Sequence, residues 1–373
     1  MENNKEKNLL KYKTYEFNDL DSLSNFNFPI NGEPFNLIVN LNNLKYEFFC
    51  RLKKSDKLLV LSPGAVTREQ VNEFKGKPYY NRMWEWEESS ICINDTGRYV
   101  NPEIRGSWLV GTPEDWHLKK TADIIKTIAN NIFDYNDSNR YNNIIFHGSS
   151  MGGSISFMLS ILLKNSICIA EILQSNAYKQ YPAIRSYLYN GLSDEEFEKY
   201  KYRFDIIELM KKEQYIPNAY LILDCTYEHD FKVSFLPFFE ELDTLPYKAN
   251  NNRNKIKIRL DGKNKNHLCI TNNELIKFLK NVEFIEYDEI SKYQKVIQLN
   301  DEYQKTIKAQ EEKYKKAMKT IDEKQKALKT NEEKYNKVME KNQELLQFKK
   351  DVYNSKSWKI TYPLRKLIKI LKL

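Results

Sequence analysis

The chain has 373 residues, 41% of them hydrophobic and 13% aromatic, and a formal charge of +8. That length and composition make the bulk of it globular, with room for one large domain and an extension. The charge is uneven: residues 291–373 hold 22 Lys and Arg against 11 Asp and Glu, leaving 37 against 40 for residues 1–290, so the basic excess belongs to the tail and no nucleic-acid-binding core is indicated.

Five cysteines (Cys50, Cys92, Cys168, Cys225, Cys269) lack CxxC spacing and read as buried free thiols of a reducing compartment. The polar amino terminus leads to no apolar signal region, and no apolar stretch approaches the ~20 residues of a spanning helix. A cytoplasmic location is expected.

Phe35–Leu41 and Tyr46–Leu52, around Asn42-Asn43, predict an antiparallel hairpin. Lys57–Leu61 then leads as a strand into Ser62-Pro63-Gly64-Ala65. Ser90–Ile93 and Ser107–Val110 read as further strands, and Asp115–Phe133 as a helix. Strand 143–147, a helix to about Lys164, strand Cys168–Leu173, helical segments around 193–213, strand Ala219–Cys225, strand Lys255–Leu260 and a helix near 272–281 follow. This alternation predicts an α/β domain over 1–290, its mostly parallel sheet covered by helices on both faces.

Residues 144–153, Ile-Ile-Phe-His-Gly-Ser-Ser-Met-Gly-Gly, carry the chemistry. Gly148-x-Ser150-x-Gly152 lies between an apolar β-branched run and an apolar helical run, the setting of a nucleophile elbow. A serine lifted on that sharp turn leaves no room for side chains two residues to either side, so Gly148 and Gly152 are glycines. Ser150 is the expected nucleophile. The N–H of Met151, at the start of the next helix, is an expected oxyanion donor. The N–H of Gly64 or Ala65, after an early strand, is the expected second donor.

Such a serine needs a base and a carboxylate that orients it, in the chain order serine, acid, histidine. Of the four histidines, His117 lies at a helix start, His147 in the strand before the elbow and His229 beside the candidate acid. His267, in the loop after strand 255–260, is the base by position. Asp230, in the loop past strand 219–225, is favoured as the acid over Asp224 and Glu228.

From 291 to 355 glycine is absent and Lys, Glu and Gln dominate. Heptad a positions Tyr293, Asn300, Ile307, Tyr314, Ile321, Leu328, Tyr335 and Asn342 pair with d positions that include Val296, Tyr303, Ala317, Val338 and Leu345, and predict a coiled coil. Gln310, Lys324 and Asn331 also fall at d, which leaves a solvated single helix as the alternative. Residues 356–373 form a basic amphipathic tail: Lys359, Arg365, Lys366, Lys369 and Lys372 alternate with aromatic and aliphatic residues, a mixture suited to an anionic membrane surface. A protein-docking segment or a frayed terminus are the other readings.

The segments Arg82-Met-Trp-Glu-Trp86, Asn94-Asp95-Thr96, Ile144–Gly153, Gln174-Ser-Asn-Ala177 and His267 resemble α/β-hydrolase-fold proteins of bacterial surface-glycan loci. The XcbB/CpsF-like capsular polysaccharide biosynthesis family is the nearer resemblance and the acetyltransferase of the accessory Sec system the more distant. It spans roughly residues 35–280. Ser357-Trp-Lys-Ile-Thr-Tyr-Pro-Leu-Arg365 is similar to a segment found after coiled coils in glycan-assembly proteins. The resemblance implies an O-acetyltransferase or esterase of a glycan or glycolipid, with a possible acyl-CoA co-substrate. A homo-oligomer or a glycosyltransferase partner would be held through the coiled coil, at the inner face of the plasma membrane. Trp84, Trp86, Tyr79 and Tyr80 offer rings for sugar stacking, or for the core. The competing expectation is a non-catalytic scaffold that keeps the fold and assembles glycan-biosynthesis enzymes. With no HExxH, Cys/His cluster or phosphate-binding glycine loop, neither a metal nor a bound nucleotide is expected.

Overall fold

The computed structural model describes residues 11–80, 82–133, 141–224, 226–245, 256–261, 270–280 and 289–371. Two compact units, Met1–Glu286 and Tyr287–Leu373, divide the chain.

The first unit is built on a sheet of nine strands: β1 Lys13–Phe17, β2 Pro34–Leu41, β3 Leu44–Arg51, β4 Leu58–Leu61, β5 Ser89–Ile93, β6 Ile144–Ser149, β7 Ile167–Glu171, β8 Asn218–Asp224 and β9 Ile256–Asp261. Their spatial order is β1-β2-β3-β5-β4-β6-β7-β8-β9. β2 and β3 form the expected hairpin, Leu41 opposite Leu44. Asn42 (φ 54°) and Asn43 (φ 60°) make its two-residue turn, a left-handed pair that asparagine tolerates and that matches strand twist. From β5 through β4, β6, β7 and β8 to β9 every pairing is parallel. β1 was not legible in the sequence; it adds to β2 in parallel, at the edge of the sheet.

Burial of both sheet faces follows from where the helices lie. The helix Met151–Leu162 is buried all round from Met151 to Ile161, and its buried Ser154, Ser156 and Ser160 hydroxyls bond the Gln174 carbonyl, the Ser62 hydroxyl and the Phe157 carbonyl. It packs between the helices His117–Ile132 and Ile206–Glu213. On the opposite face, Leu275 and Leu279 of the helix Asn272–Lys280 join Leu59, Leu61, Ile145, Ile169 and Ile222 in one cluster. The fold is α/β-hydrolase-like: a mostly parallel sheet with helices, followed by a long carboxyl-terminal helix.

Two expectations need correction and one alternative is resolved. Ser107–Val110 is not a strand: Trp108 (φ 49°) and Leu109 (φ 53°) are left-handed, and the Val110 N–H closes a turn on the Ser107 carbonyl at 3.0 Å. Its apolar side chains are buried by tertiary packing rather than by sheet alternation. Asp230 lies not in a loop but in the one-turn helix Glu228–Asp230, which runs into a π-helical turn, Phe231–Phe235. Trp86 is buried in the core and offers no face to a ligand, while Trp84, Tyr79 and Tyr80 are half-buried against the core clusters.

Cys50, Cys92 and Cys168 are buried free thiols, and burial pushes all three well above the ordinary thiol range. Cys225 and Cys269 lie outside the described residues.

The second unit is the helix Glu289–Asn354, 66 residues and therefore about 100 Å long, followed by helices Lys356–Ile360 and Tyr362–Leu371. Its heptad residues Tyr314, Ile321, Leu328, Tyr335, Val338 and Leu345 are all exposed. No helix among the described residues is long and apolar enough to cross a membrane.

Candidate active site

β6 runs out at Ser149, and the chain reverses at Ser150 with φ 57° and ψ −123° before entering the helix Met151–Leu162. A non-glycine residue holds that geometry only where its surroundings over-determine it. Here they do. The Ser150 N–H donates to the Glu171 carbonyl at the end of β7 (2.9 Å), and the Ser150 carbonyl accepts from the Ser154 N–H (3.2 Å).

The flanking glycines are required by contact. A Cβ on Gly148 would lie 2.9 Å from the Gly152 Cα and would overlap its carbonyl. A Cβ on Gly152 would sit 2.9 Å from the Pro63 carbonyl oxygen and 3.1 Å from that of Ser62. The same contact places the Ser62–Ala65 segment beside the elbow, because β4 neighbours β6 and the Ser62 N–H extends their ladder to the His147 carbonyl (2.9 Å). Gly64 is half-buried and Ala65 exposed on that segment, while Met151 is wholly buried at the first turn of the elbow helix.

A second segment closes over Met151. Gly106 has no room for a Cβ against the Met151 sulfur, and it is tied to the Gly64–Val66 segment by the Val66 N–H to the Arg105 carbonyl (2.9 Å) and the Arg105 Nε–H to the Val66 carbonyl (3.1 Å). Asp95 fixes this crossing from beneath: its carboxylate accepts the Ser107 N–H (2.7 Å), the Ser107 hydroxyl and the Gly97 N–H (3.1 Å). Burial raises the Asp95 carboxyl above its usual range, against the lowering effect of those hydrogen bonds.

The candidate acids stand two strands from the nucleophile, since β7 separates β6 from β8. Asp224 ends β8 and accepts the N–H (2.9 Å) and the hydroxyl of Thr226. Asp230 follows on the next turn of chain, also buried. Glu228 is exposed and pairs with Lys232 at 2.5 Å. His267 lies outside the described residues, in the connection between β9 and the helix Asn272–Lys280.

The other histidines are engaged elsewhere. His117 is fully buried at its helix start, and burial, helped by the nearby Arg203 charge, depresses it to about 3, so it is neutral at pH 7. His147 is buried with Nε2 2.6 Å from Glu171 Oε1. A carboxylate only accepts, and burial holds the imidazole below its ordinary range, so the species that fits is the neutral Nε2–H tautomer.

The Glu171 carboxylate is the feature that sequence reasoning missed. It is buried and also accepts from Arg82 Nη2 (3.0 Å, at Oε1) and from the Ile270 N–H (2.6 Å, at Oε2). Arg82 in turn donates to the Ile270 carbonyl at 3.1 Å. A lone acid inside the apolar run Ile167–Leu173 was the available signal, as were Arg82 and Asp95 within the segments that carried the family resemblance.

No family model matches the chain, and no curated protein matches it. Among solved structures it is similar to a capsule O-acetyltransferase of Neisseria meningitidis serogroup A, with 18% identity, a TM-score of 0.47, and coverage of 70% of this chain and 98% of that one. It is also similar to an S-formylglutathione hydrolase of Agrobacterium tumefaciens, with 15% identity, a TM-score of 0.42, and 68% and 94% coverage. A glycosylation-associated protein complex of Streptococcus agalactiae gives 16% identity, a TM-score of 0.39, and 58% and 40% coverage. With TM-scores below 0.5 these likenesses carry no argument, and the fold and the site rest on this chain's own topology and geometry.

Proposed function

We propose that the protein is a serine-dependent acyl-transfer enzyme, an O-acetyltransferase or esterase, with Ser150 as nucleophile. The observation that carries this is the left-handed Ser150 held between two glycines that admit no Cβ, at the amino terminus of a buried helix. Strain of this kind persists where the surrounding structure enforces it, and it lifts a hydroxyl out at the carboxyl end of the sheet.

In this reading Ser150 Oγ attacks the carbonyl of an ester or thioester while His267 takes its proton. Asp230, or Asp224 in its place, steadies the imidazolium. The Met151 N–H and the N–H of Gly64 or Ala65 receive the negative charge on the tetrahedral oxygen, each such donor contributing ~2.7–4 kcal/mol to transition-state stabilisation. Collapse of the tetrahedral intermediate breaks the ester or thioester bond and expels the alcohol or thiol with the proton that His267 returns, and the acyl group then passes to a sugar hydroxyl or to water whose proton His267 takes. The acceptor class, a bacterial surface or capsular glycan, is drawn from the resemblance of the Arg82–Trp86, Asn94–Thr96 and Gln174–Ala177 segments, and an acyl-CoA is a donor compatible with it.

The test is fluorophosphonate labelling of the purified chain. Wild type labels, while Ser150→Ala, Ser150→Gly and His267→Ala do not. Ser150→Gly should also be more stable by about 1 kcal/mol, because glycine carries no strain at positive φ. Wild-type protein that stays unlabelled where a control esterase reacts defeats the proposal.

One observation favours the scaffold reading: the exposed heptad side chains of the helix Glu289–Asn354 form an apolar stripe suited to a second copy of the chain or to a glycosyltransferase. The two roles are compatible in one protein.

A further inference from the structure

Two pieces of chain that the acyl-transfer reading must hold together meet at one residue. The backbone carbonyl of Glu171 accepts the Ser150 N–H at 2.9 Å. It approaches so closely that a Cβ on Gly153 would lie 2.7 Å from it. The side chain of the same residue turns to the other face of the elbow and accepts the Ile270 N–H at 2.6 Å. Ile270 is three residues past His267 in the sequence.

Immediately after Ile270 the chain enters the helix Asn272–Lys280. There the Thr271 hydroxyl accepts the Glu274 N–H (3.3 Å) and the Glu274 carboxylate accepts the Thr271 N–H (2.9 Å). The capped helix start that follows Ile270 is thus pinned to Glu171.

We propose that Glu171 is a positioning residue that ties Ile270, three residues past His267 in the sequence, to the Ser150 elbow, with Arg82 completing the clamp; this rests on the acyl-transfer reading above. The carboxylate is suited to the task because it accepts at both oxygens. Oε1 takes the Arg82 guanidinium at 3.0 Å and His147 Nε2 at 2.6 Å, which leaves Oε2 for Ile270. Arg82 spans the joint a second time, donating from the same Nη2 to the Ile270 carbonyl and from Nη1 to Asn272 Oδ1 at 3.5 Å. The backbone is committed on both sides: Arg82 (φ 56°) and Ile172 (φ 50°), next to Glu171, are left-handed non-glycine residues, and the Ile172 N–H is fixed to the Ile222 carbonyl at 2.8 Å. Among the described residues, each partner of the carboxylate comes from a different stretch of chain, which is what a joint requires and a local cap does not.

Glu171→Gln tests this directly, because an amide has one acceptor oxygen and cannot serve Ile270 and the Arg82–His147 pair together. The readouts are the fluorophosphonate labelling rate per labelled serine, with end-point occupancy counted by mass spectrometry, and hydrogen exchange at the Ile270 amide. Loss of the Ile270 anchor should slow labelling per site by about tenfold to a hundredfold. The Ile270 amide should exchange faster, and end-point occupancy should be retained. Arg82→Lys keeps the charge but loses the fork, and should show a smaller slowing in the same direction; it decides the matter if Glu171→Gln fails to fold. A per-site rate within twofold of wild type in the folded variant overturns the positioning role while leaving the serine assignment intact. An unlabelled wild type removes the serine assignment, and the positioning role with it.

Discussion

In β4 the side chains Leu58, Leu59, Val60 and Leu61 are all buried, whereas Leu328, in the middle of the helix Glu289–Asn354, is 65% exposed. β4 is apolar throughout, and the long helix carries apolar residues at many of its heptad positions. In the first unit the apolar residues find partners far away in the chain, and glycines at the elbow stand where backbone meets backbone. Among the described residues of the second, helical bonding is local and the heptad side chains from Tyr314 to Leu345 are exposed, and no glycine occurs there. Close packing is intolerant of added atoms, while a solvated helix is not. The same substitution should therefore have very different costs in the two regions.

The largest effect is expected at Gly148. Gly148→Ala introduces a Cβ that overlaps the Gly152 carbonyl, backbone against backbone, and should destabilise by ~3 kcal/mol or more and abolish labelling. Urea melts of wild type and variant measure this. A loss below about 1 kcal/mol would show that the elbow can relax and would weaken the contrast.

A smaller effect comes from pH. His117 is neutral in the fold down to about pH 3, whereas the unfolded chain takes up its proton near 6.5. Between those values the unfolded state binds more protons, so this group's contribution is fully present above pH 6.5 and is lost progressively as pH falls toward 3. The slope approaches about 1.4 kcal/mol per pH unit within that window. His117→Gln should flatten the difference between melts at pH 7 and pH 5. Equal slopes in wild type and variant would mean that His117 is not held neutral.

The smallest effect on the stability of the single chain is expected from Leu328→Glu, within about 0.5 kcal/mol. Its signature lies in association. If the stripe seats a second copy, light scattering should report a loss of oligomer with labelling unchanged. A wild type that is monomeric at high concentration would leave the stripe to a different partner and separate the two units' roles more sharply.

Legibility in the sequence followed the range of the contacts. The hairpin around Asn42-Asn43, the elbow and the strand and helix sequence from β6 onward were readable, because each is specified by residues within a few positions of one another. Ser107–Val110 misled because an apolar run in a left-handed turn has the same composition as a strand, and Asp230 because a one-turn helix leaves no periodicity. β1 was invisible: Lys13-Thr-Tyr-Glu-Phe17 pairs at the edge, with two of its five residues only half-buried and the rest exposed.

The sequence alone determined that a serine would stand between two glycines at a strand-to-helix turn, and that a charged helix with a heptad stripe would follow, because both are local patterns of sterics and periodicity. Only the tertiary structure decided that β5 inserts between β3 and β4, and that Arg82, His147, Glu171 and Ile270 meet at one buried carboxylate. Glu171 and Ile270 are 99 positions apart. A buried charge finds its partners through the packing of the whole sheet, and no pattern within a window of sequence records which distant residue will be there.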